Sequence, residues 1–263
     1  MPRDIFETEV VALPESPLFC HRHEFGHVFH YDGCSQSTQV ILRDMRDLTN
    51  LFLASSEEST NAHGIKVEDD ERGSRHILEF REKAKDIHDN LASLPSAYAQ
   101  GHVASQDWVY EACRIASLIY TVAIIGRVPF SVAARSRSFR NISNSDSTAN
   151  PEATKQSPAA SPAEALYEVL KLTDIANIWK EMGGVLYWVC AVGAAAARTP
   201  VALNEDHRAS AHYEKYQVWV QQSLVMHGAR TLNILLFQHP TPIIMAQQKL
   251  LRVQEVLAKE ESD

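Results

Sequence analysis

Residues 172–198 read LTDIANIWKEMGGVLYWVCAVGAAAAR, and the change of pattern at Gly183-Gly184 decides the fold. Before the glycines the stretch is amphipathic. From Gly183 to Ala197 there is no charged side chain, and Arg198 closes the run. A helix that is apolar on every side must be buried in the centre of a larger domain or in a membrane. This run falls short of the roughly 18 apolar residues that a span requires, and Gly193 and the alanines after it weaken it further. It therefore predicts the central helix of a soluble, all-helical domain. The small residues from Gly193 to Ala197 would let a neighbouring helix approach closely.

The flanking sequence agrees with that reading. Ile41, Met45, Leu48 and Phe52 share one face of a helix over about 38–54. Residues 55–74 are polar and acidic and read as a loop. Ile77, Phe80, Ala84, Ile87, Leu91 and Leu94 mark a second helix over about 75–94, which Pro95 ends. A third, over about 106–126, is apolar on most sides after Arg114 and should be deeply buried. Ser161-Pro-Ala-Glu164 is a strong helix start, with a capping serine, proline at the first position and glutamate three after the cap. That helix is expected to run to about Lys180 and lead into the central one, which Thr199-Pro200 ends.

A further helix should start near Asn204 and bury Ala209, Tyr213, Tyr216, Val220 and Leu224, with Gly228 breaking it before a short turn to Phe237. Thr241-Pro242 should cap a last helix with Ile243, Ala246, Leu250, Val253 and Leu257 on one face. No β-alternating run stands out. The expected fold class is all-α: one multi-helix domain of seven or eight helices over 18–260. An extended lead-in precedes it at 1–17. Residues 135–160, rich in Ser, Asn, Thr and Pro, predict a disordered insertion, because they carry too little apolar surface to offset the entropy of ordering.

Composition narrows the function. The hydrophobic fraction of 45% and charged fraction of 22% suit a globular core. A formal net charge of -8 argues against direct nucleic-acid binding, which needs a clustered basic surface. Four cysteines and an N-terminus without a secretory pattern suggest a reducing compartment, nuclear or cytosolic.

The sharpest motif is His23-Glu24-Phe25-Gly26-His27, an H-E-x-x-H. On a helix, His23 and His27 would face one way and ligate zinc, with Glu24 as general base. The extended zinc-protease pattern fails, since His30 and Gly33 stand where Gly and His belong. Cys20, His21, His23, His27, His30 and Cys34 also match no standard structural zinc spacing, so a polar loop is the simpler reading. Glu68-Asp69-Asp70-Glu71 resembles a magnesium-binding acidic cluster but reads better as a solvated loop. Arg135, Arg137 and Arg140 form a small basic group that reads as a loop edge.

Three stretches together resemble one family. Ser16-Pro-Leu-Phe-Cys20, Asp32-Gly-Cys-Ser35 and Leu42-Arg-Asp-Met-Arg-Asp-Leu-Thr49 are similar to the opening of the helical regulatory domain of fungal zinc binuclear-cluster transcription factors. Tyr110–Tyr120, with Val128-Pro-Phe-Ser131, is similar to that domain's middle, and Trp179–Gly193 to its late core helix. The resemblance implies an all-helical fold and a nuclear role in regulating transcription, often of metabolic or secondary-metabolite genes. The six-cysteine zinc module that reads DNA in that family is not in this sequence, so no zinc ligand carries over, and the family's helical domain has no agreed catalytic residues to transfer.

The expected function is therefore regulation through helix packing: binding a protein partner, forming a homodimer, or sensing a small molecule. No cofactor and no membrane association is expected. Trp108, Tyr120, Trp179, Tyr187, Trp188 and Trp219 are the candidates to line a pocket or interface, against the simpler alternative that aromatics at helical spacing are core. The alternative function is a metal-dependent enzyme built on His23 and His27, or a non-catalytic small-molecule binder.

Overall fold

A computed structural model describes residues 13–20, 25, 31, 33–61, 70–136, 161–177, 179, 181–198 and 208–259. The described part is all-α, with eight helices and no strand. These are α1 (Gln36–Asn61), α2 (Asp70–Ser93), α3 (Trp108–Gly126), α4 (Phe130–Ala133), α5 (Pro162–Lys171), α6 (Gly183–Ala196), α7 (Arg208–Gln238) and α8 (Pro240–Lys259).

Helix α3 is the hub, packed against α1, α2, α4, α5 and α6. Its start is fixed by Asp107, whose carboxylate accepts from the Tyr110 N–H at 2.9 Å. Its end is fixed by Arg127 in the left-handed region at φ 48°. It is long and apolar enough to cross a membrane, yet most of it is buried inside the bundle, as befits a core helix. Tyr120, fully buried, ties four helices together. Its ring stacks on Phe130 of α4 at 5.6 Å and meets Trp188 of α6 edge-on at 5.7 Å. Its hydroxyl lies 2.8 Å from Thr49 Oγ1 of α1. Thr49 donates its own proton to the Met45 carbonyl at 2.6 Å, so Tyr120 is the donor between them.

Helix α6 is the charge-free run, buried over most of its surface, with Tyr187, Ala191, Ala194 and Ala195 partly open. Gly184 lies against the backbone of Pro14 and Glu15, with a glycine hydrogen where any Cβ would strike a carbonyl. Gly183 faces Leu235, Gly193 faces Leu166 and Leu224, and Gly228 of α7 faces Cys190 Cβ. These contacts run in opposite order along α6 and α7, so the two lie antiparallel at close range.

Several boundaries differ from the sequence reading. Helix α5 ends at Lys171, not Lys180, because Asp174 turns the chain. Its Oδ1 accepts from the N–H groups of Ala176 and Asn177 at 3.2 and 3.3 Å. Gly228 does not break α7, which runs unbroken to Gln238; the missing side chain makes room for Cys190 instead. Tyr216 is exposed, not buried, with its hydroxyl on Glu168 Oε1 at 2.6 Å. The last helix starts at Pro240, where proline suits the first position, and not at Thr241-Pro242. Helix α1 continues to Asn61 and α2 begins at Asp70, which shortens the expected 55–74 loop from both ends.

Pro14–Leu18 of the expected lead-in and domain edge is buried. The expected disordered insertion lies outside the described residues from 137 to 160.

His88 of α2 carries a pH dependence. Its Nδ1 lies 3.0 Å from Thr121 Oγ1 of α3. Burial holds the imidazole below its ordinary 6.5, with Asp89 pulling the other way. The unfolded chain therefore binds the proton more readily, and stability is lost as pH falls below 6.5. Thermal melts at about pH 7 and about pH 5 should show a falling midpoint, and His88→Gln should flatten part of that fall. An identical pH dependence in the variant would contradict this assignment. His227 of α7, also lowered first by burial, accounts for a further part.

Candidate functional site

The six candidate aromatics do not converge. Tyr120 and Trp188 meet in the core. Among the described residues the Trp188 indole N–H meets no hydrogen-bond partner. Trp179 is buried in the turn before α6, its N–H donating to Thr173 Oγ1 at 3.0 Å. Trp108 is half-buried at the start of α3, 5.0 Å from the Tyr98 ring. Tyr187 is half-buried and hydrogen-bonded to Gln247 of α8. Trp219 is 57% exposed on α7 and donates to the Tyr167 hydroxyl at 3.2 Å.

None of the six lines the cleft between α5 and α7, which Arg135, Ser161, Glu164, Arg198, Gln217 and Val220 border. That cleft has a volume of about 40 Å³, room for waters only. Ligand pockets run to roughly 300–1,000 Å³.

His23, Glu24 and His27 lie outside the described residues, as do His21 and His30. Phe25, between them in sequence, is buried with the Arg46 guanidinium 5.4 Å from its ring centre. Among the described residues no group of three or more His, Cys, Asp or Glu is placed to hold a metal. Burial pushes the Cys34 and Cys190 thiols up to about 12 and raises Cys113 strongly, so these three stay protonated at neutral pH. Asp70 and Glu71 of the acidic cluster sit in the first turn of α2, where acids suit the helix dipole.

One buried polar cluster escaped the sequence reading. Arg114 donates from Nε and Nη2 to the two oxygens of Glu111, at 2.9 and 2.7 Å. Both residues are buried. The same carboxylate accepts from the Ser96 hydroxyl and the Ala97 N–H, each at 2.9 Å. With every oxygen occupied, Glu111 works as a clamp that holds the 95–97 turn onto α3. The i, i+3 spacing was legible; that both charges go inside was not.

A second feature is the outer face of α7. Trp219, Met226 and Phe237 are 57%, 71% and 91% exposed, and Val218, Val225, Ile234 and Leu236 are also open to solvent. From Tyr216 to Gln248 the only charged side chain is Arg230. Beside this face, Glu168 binds both Lys171 Nζ and the Tyr216 hydroxyl at 2.6 Å, and those two hydrogen bonds hold its carboxyl below the usual range. The Tyr167 ring lies under the Lys171 ammonium at 5.3 Å. This arrangement fixes the aromatic end of α7 against α5.

No family model, no curated protein and no solved structure matches the chain.

Proposed function

We propose that the chain is a regulatory module of the kind carried by fungal zinc binuclear-cluster transcription factors, acting in the nucleus through protein contact. The observation that carries the protein-contact part is the outer face of α7. Interface centres are poor in charge and rich in Trp, Tyr, Phe, Met and Arg, while ordinary surface is not. The face has that composition, and beyond the α5 contacts of Tyr216 and Trp219 the rest of the described structure leaves it open to solvent. The transcriptional part rests on the resemblance of the stretches that form α1, α3 and α6. A small-molecule effector is a weaker reading, because the α5–α7 cleft is too small for one.

The test tethers the full chain to an unrelated DNA-binding domain upstream of a reporter gene. A several-fold change in output, up or down, is expected relative to the tether alone. Unchanged output at equal protein level would contradict the proposal.

A further inference from the structure

We infer that the outer face of α7 is covered by a second copy of the chain, in a two-fold contact along the helix. This rests on the reading of that face as a protein interface and names its occupant.

Three observations favour a second copy. The first is register. Val218, Val225 and Leu232 recur every seven residues, and Leu236 continues the line. A stripe spaced in this way is the shape that packs knobs-into-holes against another helix of the same kind. Gln222 occupies the same stripe, seven before Ala229. An amide closed into an apolar seam needs an amide-like partner, and a two-fold axis at Gln222 supplies one: its own copy.

The second is charge. A net charge of -8 sets most like surfaces of two copies against each other. The α7 face carries only Arg230 between Tyr216 and Gln248, so bringing two such faces together opposes no carboxylates.

The third is size. A helix is roughly 10–12 Å across and rises about 1.5 Å per residue, so one side of α7 presents on the order of 500 Å². Two such faces together bury on the order of 1,000 Å², the size at which a specific interface begins.

The experiment is sedimentation equilibrium of the purified full chain over about 1–100 μM, a range that brackets ordinary dimer affinities. A mass of twice 29.4 kDa is expected. Val225→Glu, at an exposed position that the fold does not depend on, should weaken the dimer about 100-fold or more, since it puts a carboxylate into the seam. Leu78→Glu, exposed on α2, should leave it intact. As an independent readout, Gln222→Cys should form a disulfide-linked dimer under mild oxidation, above the level of the wild-type chain. A monomer throughout the range, a dimer indifferent to Val225→Glu, or no cross-link through position 222 would each overturn the inference. The reporter assay keeps the two proposals apart. A monomer that still changes reporter output sinks only the second copy. A dimer without effect on the reporter sinks only the transcriptional reading.

Discussion

Gly184→Ala should cost the domain about 3 kcal/mol, at the upper end of the range for overpacking. The cause is where the new methyl falls. A Cβ at Gly184 would overlap the Pro14 carbonyl oxygen, and would lie 2.6 Å from Pro14 C and 2.7 Å from Glu15 O. All three are backbone atoms and cannot rotate away. The segment that holds them is closed on itself: Ser16 and Phe19 exchange backbone hydrogen bonds of 2.8 and 3.1 Å, and Ser16 Oγ accepts from Leu18 and Phe19 at 3.3 Å each. The turn must therefore shift as a unit, uncovering Leu18. Gly193→Ala is the comparison. Its Cβ would come within 2.6 Å of Leu166 Cδ2, the mobile end of a side chain, and should cost only about 1 kcal/mol. Urea unfolding of both variants reads the difference. Equal midpoints would show that the 14–15 segment does not lie on α6.

Arg114→Ala should cost about 3–5 kcal/mol, because it leaves the Glu111 carboxylate buried without its cation. The loss comes from the charge left behind, so neutralising that charge should return part of it. The double variant Glu111→Gln/Arg114→Ala should be more stable than Arg114→Ala alone, since glutamine keeps an acceptor for the Ala97 N–H. A double variant that is no better would mean that Arg114 contributes by packing alone. Denaturant midpoints of the three chains decide the matter.

The parts of this fold that were legible in the sequence are those where one strong signal acts alone. The faces of α1, α2 and α8 followed from apolar spacing, and the mostly buried α6 from its lack of charge. The start of α5 followed from Ser161 and Glu164, which make both capping hydrogen bonds. What misled was chemistry with two readings. Asp174 is an ordinary helical residue until its side chain captures Ala176 and Asn177 and ends α5 early. Gly228 reads as a breaker, yet close approach to Cys190 is what it provides. Tyr216 and Trp219 have the spacing of core aromatics and lie outside. Of the six candidate site residues, sequence spacing could bring none together, because contacts between distant helices set that, and only Tyr120 and Trp188 meet. The exposed face of α7 was present in the sequence as a long interval with Arg230 as its only charge, a signal that means core or interface until the packing separates them.

The central claim is that the outer face of α7 is a working surface and not part of the core. The most direct test is the tethered reporter read with Met226→Glu/Phe237→Glu, a double change at two strongly exposed positions. A variant that melts within about 2 °C of the wild type yet loses the effect on the reporter is the predicted result, since exposed substitutions change stability by about 0.5 kcal/mol or less. A variant that folds equally well and drives the reporter as the wild type does would contradict the account.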